Sequence, residues 1–275
     1  MKETTLLSIR DFSEFTGIKQ STLRYYDEIG LLPPISRGEN NYRYYVPFQI
    51  ITLNFISVLT DLGVPLSTIK EMNFERTPES VIDLLDRQEE LLDFKLNELQ
   101  KSYSIIHTFR KNIQSGLASQ AGDIGLTDLG EANIVLGPEN DFKDKTTFYE
   151  PFINFCNRAN EYRINLRYPI GGYHYSMEKF LETPNRPNRF FSQDPIGNVK
   201  REAGRYLVAY NYGYYGQFPG VPKRIGEFAE DNKLTFTGPV YVQFLLDEIS
   251  TVDPDKYMSR ISVRIKEDQE DGPDV

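Results

Sequence analysis

Two short stretches mix arginine with tyrosine: Leu23-Arg24-Tyr25-Tyr26-Asp27 and Tyr42-Arg43-Tyr44-Tyr45. Guanidinium groups pair with phosphate oxygens, so a ribbon that alternates Arg and Tyr can lie along a nucleic-acid backbone. The rest of the reactive inventory is thin. One Cys and two His exclude a disulfide framework and any zinc site built on several thiolates. Cys156 falls in a helical stretch beside Phe152 and Phe155, where a free thiol reads as a small buried hydrophobe. His107 and His174 are far apart in the chain and suggest no ligand cluster. No catalytic residue, metal or cofactor is assigned.

The elements that position these residues follow from local signals. Ser8, with Asp11 three residues on, reads as a capping box in which Asp replaces Glu. Ile9, Phe12 and Phe15 or Thr16 then share one face of a short helix. Gly17 allows a sharp turn, and Gln20-Ser21-Thr22 opens a second helix. Two short helices joined at a glycine make a helix-turn-helix, whose second helix offers Ser21, Thr22, Arg24 and Tyr25 to a major groove. A short ribbon follows Gly30-Leu31-Leu32-Pro33-Pro34. Residues 37–41 form its tip, where Asn40 and Asn41 suit a turn, and 42–45 its return strand. Tyr26 and Tyr44 read as core packing.

Residues 77–115 contain no Gly, and Pro78 is their only Pro. Leu85, Leu92, Leu99, Ile106 and Ile113 recur every seven residues, with Ile82, Leu96 and Tyr103 three residues ahead of some of them. This is the a/d seam of a coiled coil, mixed at one position by Glu89 and Arg110. Thr77 caps it, Pro78 sits at its first turn, and Gly116 reads as its stop. A helix of about 38 residues would be about 57 Å long and cannot bury its seam against itself. It packs on its own chain or pairs with a second copy, and the seam favours pairing. Residues 116–130 hold four Gly and read as a flexible joint. Of 18 Tyr and 18 Phe, 12 and 11 lie in residues 131–275, which argues for a separate aromatic-rich domain there. The tail, 267–275, reads as a solvated end.

Composition sets limits. With 275 residues, 39% hydrophobic and 26% charged, the chain is globular and long enough for two domains. No apolar run approaches the roughly 18 residues that span a bilayer. Arg10 and Asp11 interrupt the first apolar stretch, so no signal peptide is expected and the expected compartment is the cytoplasm. A net charge of −9 argues against a nonspecific nucleic-acid coat. Within residues 8–45 five basic side chains balance five acidic ones. On composition alone a small helical domain with ordinary surface charge fits equally well, and the motif decides.

That motif is specific. Leu23-Arg24-Tyr25-Tyr26-Asp27, Gly30-Leu31, Tyr42-Arg43-Tyr44-Tyr45 and Leu62-Gly63-Val64-Pro65-Leu66 strongly resemble, in order and spacing, the DNA-binding domain of the MerR family. More loosely, residues 204–212, Gly238-Pro239-Val240-Tyr241, Asp255-Lys256-Tyr257 and residues 260–265 resemble a GyrI-like effector-binding domain. That pairing is similar to the multidrug-sensing, BmrR-type branch of the family. The resemblance implies a mixed α plus α/β fold in four parts. Residues 1–76 would be a winged helix-turn-helix, and 77–116 a dimerisation helix in an antiparallel coiled coil. A linker, 117–130, would lead to a C-terminal α+β domain, 131–275. A pseudo-two-fold repeat of strand, helix, strand and strand is implied there. Strands at 132–137, 171–177, 205–212, 240–246 and 261–265, with helices at 147–162 and near 219–231, are consistent with it.

The resemblance also implies function. Such a homodimer sits on double-stranded promoter DNA. On binding a small aromatic or lipophilic effector it distorts an overlong spacer between the −35 and −10 elements, bringing both into register for RNA polymerase. Arg24 and Tyr25 would contact DNA from the second helix, and Tyr42 and Arg43 from the wing. Geometry adds Thr22 and Arg37. Tyr168, Tyr212 and Tyr257 match aromatic positions of the drug cavity, which a ring near 214–218 would complete. One departure stands out. Cation-sensing relatives carry a buried Glu where this chain has Val242. Strand alternation puts Val242 and Phe244 on one wall, which implies neutral aromatic ligands, or a carboxylate supplied by Glu178, Glu202, Asp247 or Glu248. Loss of that Glu also removes the obvious base of GyrI-like hydrolases, so the chain is read as no enzyme. The other readings are a drug-sequestering protein and a small-molecule hydrolase.

Overall fold

Ser8 accepts a hydrogen bond from the Asp11 amide and Asp11 accepts one from the Ser8 amide, so the first helix begins in a reciprocal cap. The structure, a computed structural model, describes residues 5–74, 76–142 and 148–266. The chain divides into two compact units, Met1–Asn97 and Glu98–Val275.

In the first unit, strand β1 (Leu7–Ser8) leads into helix α1 (Ile9–Thr16). Gly17, at φ 73°, turns the chain into α2 (Gln20–Glu28). Strands β2 (Ser36–Arg37) and β3 (Arg43–Tyr45) form the wing, in the sheet order β1-β3-β2. Helices α3 (Gln49–Asp61) and α4 (Leu66–Phe74) follow. Phe12, Leu23, Tyr45, Leu53, Ile56, Leu59 and Ile69 make one core. The Tyr45 ring stacks on Phe12 with centroids 4.7 Å apart. Tyr26 packs against the edge of this core.

Helix α5 (Pro78–Leu117) is 40 residues long, about 60 Å at the α-helical rise. Ser80 donates its amide to the Thr77 hydroxyl at 3.2 Å, closing the start of the helix. The helix ends at Leu117, one residue past the stop expected at Gly116, and a Cβ at Gly116 would lie 2.7 Å from Leu246 Cγ, so the glycine also permits close packing. Leu99, Tyr103 and Ile106 of the seam are each more than 60% exposed.

Among its described residues the second unit is built on one antiparallel sheet of eight strands, joined by three α-helices. In chain order the elements are β4 (Ile124–Leu129), β5 (Ala132–Glu139), α6 (Tyr149–Asn157) and β6 (Ile170–His174). Then come α7 (Met177–Glu182), β7 (Arg189–Ser192), β8 (Val199–Arg201) and β9 (Gly204–Tyr212). Helix α8 (Val221–Asp231), β10 (Phe236–Leu246) and β11 (Met258–Ile265) complete it. The spatial order is β4-β9-β11-β10-β6-β7-β5-β8.

The expected joint at 117–130 is therefore partly strand. Residues 124–129 pair with β9 along the sheet edge, and Ile124 and Leu126 pack on the core below. Its glycines hid a short alternation of apolar residues. The helix expected over 147–162 is helical only over Tyr149–Asn157, and Thr147 lies outside the described residues. The acidic tail, 267–275, also lies outside them.

The sheet has two unlike faces. Helices α7 and α8 cover Leu207, Ala209, Val240, Val242, Ile261 and Val263. Helix α6 covers Val135 and Phe190 on the same face, with Phe155 pressed on Gly137, where a Cβ would meet its ring at 2.3 Å. On the opposite face Ile134, Phe191 and Tyr241 cluster. Within this unit the end of α5 is tied to the sheet by Asn112, which donates to Gln193 Oε1 at 3.2 Å. No described helix is long and apolar enough to cross a membrane.

Candidate nucleic-acid interface and ligand pocket

In α2, Leu23 and Asp27 are buried, one turn apart on the inner face. Ser21, Arg24 and Tyr25 therefore point outward and are exposed, and Thr22 is half-buried. Arg24 Nη2 donates to Gln20 Oε1, one turn back, at 3.2 Å. On the wing, Tyr42 is 62% exposed. Asn41, at φ 60°, closes the turn with its amide on the Gly38 carbonyl at 2.9 Å.

Sequence reasoning missed the group that sets this surface. Arg37 Nη2 donates to both oxygens of Asp27, at 2.7 and 2.6 Å, and Arg43 Nε donates to Asp27 Oδ2 at 2.6 Å. The Asp27 side chain is 4% exposed. Such a carboxylate is tolerable only when ionic partners replace its water. Two cations on one anion leave a net positive charge, and they lock the wing onto α2. Arg37 also donates to Asn41 Oδ1 at 3.2 Å. Arg37 and Arg43 thus hold the wing as well as facing outward from it. The sole trace of this in the sequence is an acidic residue directly after the Arg-Tyr-Tyr run.

In the second unit a cavity of about 350 Å³ is walled by rings. Phe148, Tyr149 and Phe152 come from α6 and the residue before it, Tyr168 precedes β6, and Phe244 comes from β10. Tyr214 and Tyr215 fill the position anticipated near 214–218, and Phe109 of α5 contributes one more ring. Asp247 and Glu248, two of the four carboxylates considered from sequence, also line it. Burial raises the Asp247 pKa above the usual carboxylate range. Burial, then a hydrogen bond to Glu248, pushes the Tyr215 phenol up. Tyr215 packs edge-on against Phe244 with centroids 4.5 Å apart.

Of the pocket residues expected, Tyr168 and Phe244 reach this wall and three do not. Tyr257 stands behind it, stacked on Tyr214 at 5.8 Å. Tyr212 ends β9 and is 44% exposed, since alternation at the strand end turns it outward. Val242 is buried beneath α7 and α8 as part of the sheet core. It also lines a small adjoining cavity that shares Phe148 and Phe244 with this one. Glu178 lies apart, in the groove between α7 and α8. No group of three or more His, Cys, Asp or Glu among the described residues could hold a metal ion.

Residues 8–45 match the family model of MerR family regulatory proteins. The multidrug-efflux transporter 2 regulator of Bacillus subtilis (strain 168) is 29% identical over 263 residues, covering 94% of this chain and 95% of that protein. The multidrug-efflux transporter 1 regulator of the same organism is 26% identical over 283 residues, covering 97% and 100%. The HTH-type transcriptional regulator HmrR of Rhizobium leguminosarum bv. viciae is 30% identical over 98 residues, 34% of this chain and 75% of that protein. With its Arg-Tyr-Tyr-Asp helix and its wing, the chain belongs to the MerR family.

Proposed function

We propose that the chain is a cytoplasmic, ligand-responsive transcription activator that works as a homodimer on promoter DNA and senses aromatic compounds in its C-terminal unit. One observation carries the sensing role. The unit joined to a MerR-type helix-turn-helix encloses a ring-walled cavity with two carboxylates in its lining. Aromatic faces and carboxylates together favour flat, lipophilic cations. This shifts the preference away from neutral ligands, because Asp247 and Glu248 supply the charge that Val242 does not. Both end-to-end relatives are named as regulators of multidrug-efflux transporters, which supports the same reading.

The exposed seam of α5 supports pairing with a second copy in an antiparallel coiled coil. In the sheet, β9-β11-β10 mirrors β5-β7-β6, with β6 beside β10 at the centre. We read this as the pseudo-two-fold repeat of a GyrI-like domain. On DNA, α2 would enter the major groove and the wing would lie along phosphates. Reshaping an overlong spacer for RNA polymerase takes a few kcal/mol of duplex deformation. The effector supplies it only by binding the distorting state more tightly. The chain is read as a sensor and no enzyme.

Two dyes test the pocket. The chain is titrated with N-methylacridinium and with acridine, at a pH where acridine is neutral. We expect the cation to bind tighter by about tenfold and Asp247→Asn together with Glu248→Gln to abolish the difference. Equal binding of both dyes sinks the cationic reading, and turnover of either dye sinks the non-enzymatic one. Run-off transcription from a promoter with a lengthened spacer, with and without N-methylacridinium, tests activation.

A further inference from the structure

The face of the C-terminal sheet opposite α6–α8 holds a second cavity, of about 340 Å³, separate from the aromatic one. Its lining is polar. Strand β8 contributes Arg201, β10 Gln243 and β11 Arg260, while Asn112 and Lys111 come from α5 and Gln193 from the loop after β7. Gln243 is directly opposite Arg260 across the β10–β11 ladder, so both point away from the apolar core that holds Val242.

Both guanidiniums are deeply placed. Arg201 is 8% exposed. Its Nη2 donates to the Gly130 carbonyl at 2.9 Å, and the face of Tyr206 lies 5.6 Å away. Arg260 Nη2 donates to Gln243 Oε1. The Nε–H of each, and the Nε2 amide of the buried Gln193, find no partner among the described residues. Among the described residues no carboxylate forms an ion pair with either arginine. Glu131, also on the wall, is engaged by Lys200 at 2.9 Å. Burial first, and then the charge of Arg201, lowers the Arg260 pKa.

A buried cation without a counter-charge is unfavourable, and arginine cannot escape by losing its proton. Two such cations beside one another compound the repulsion. The arrangement becomes favourable when an anion enters. The donors left over are those an oxyanion needs: two charged N–H groups and a neutral amide. We propose that this cavity binds the carboxylate or phosphate group of a small metabolite, held by Arg201, Arg260 and Gln193. The volume admits a small molecule rather than a bare ion. Because α5 forms part of the wall, the bound anion also ties that helix to the sheet.

The test is calorimetric titration of the full chain at constant ionic strength. Inorganic phosphate is the phosphate arm, citrate the carboxylate arm and sodium chloride the control. We expect saturable binding in at least one arm, and the tighter arm identifies the group. Arg201→Gln and Arg260→Gln should each weaken it by at least about tenfold. Cooperative thermal unfolding verifies that a variant is folded, and either variant alone suffices. The proposal falls if neither phosphate nor citrate gives more heat than chloride, or if a folded variant keeps wild-type affinity.

Discussion

Both units of the molecule gather guanidinium groups in pairs, and they treat them in opposite ways. In the N-terminal unit Arg37 and Arg43 converge on Asp27, each within 2.7 Å of it. In the C-terminal unit Arg201 and Arg260 share a cavity in which no carboxylate of the described residues is bound to either. Compensated burial fixes a shape: the wing cannot leave α2 without exposing a buried anion. Uncompensated burial leaves a demand that a ligand can meet. The first arrangement suits a surface presented ready-made to DNA. The second suits a sensor.

The largest effect should come from breaking the compensated cluster. Asp27→Ala leaves two cations facing each other over a hole. We expect a loss of about 3 kcal/mol in the urea unfolding transition of the N-terminal unit, at the low end for a buried pair because Arg37 is partly exposed. A loss under about 1 kcal/mol would show that the wing is held by its backbone pairing instead.

Next comes acid, acting on a third buried base. His174 is 1% exposed, with its ring edge-on to Phe180. Burial pushes its pKa down to about 3. The folded state keeps this ring neutral, while the unfolded chain takes up a proton near the ordinary histidine value of about 6.5. The stabilisation is therefore complete above about pH 6.5 and falls away as pH drops toward the folded value. Between about pH 6.5 and pH 5 the loss should be about 2 kcal/mol. His174→Phe should flatten that part of the stability–pH curve, and an unchanged slope would mean that the ring protonates within the fold.

The smallest effect should be Arg43→Ala on operator affinity. Removing it takes one positive charge from the wing and leaves Arg37 to neutralise Asp27. Affinity should fall by about tenfold, and the slope of log K against log salt should flatten by about 1. An unchanged slope would assign Arg43 to holding the wing alone.

Much of the N-terminal unit was legible because its signals are local. The Ser8–Asp11 cap, the Gly17 turn and the Thr77-Pro78 helix start each involve residues within one turn of one another. Asp27 was not legible in its role. Its partners lie 10 and 16 residues away, and counting charges over residues 8–45 cancelled the acid and the bases that the fold brings together. In the C-terminal unit the strands showed through their alternation, but the pocket did not follow from them. Tyr212 and Tyr214 are two residues apart, yet Gly213, at φ 149°, bends the chain between them so that only Tyr214 reaches the cavity. Val242 is on the face expected for it, but helices cover that face. Gly116 showed as a helix end, but its second role, admitting Leu245 and Leu246, has no sign in the sequence until the neighbour is known.

That glycine has a mechanical consequence. Gly116 sits in the last turn of α5, seated against Leu245 and Leu246, directly before Asp247 and Glu248. A methyl group there would have to push both leucines aside, so a substitution at one glycine would press on the strand end that carries two carboxylates of the cavity without altering its lining.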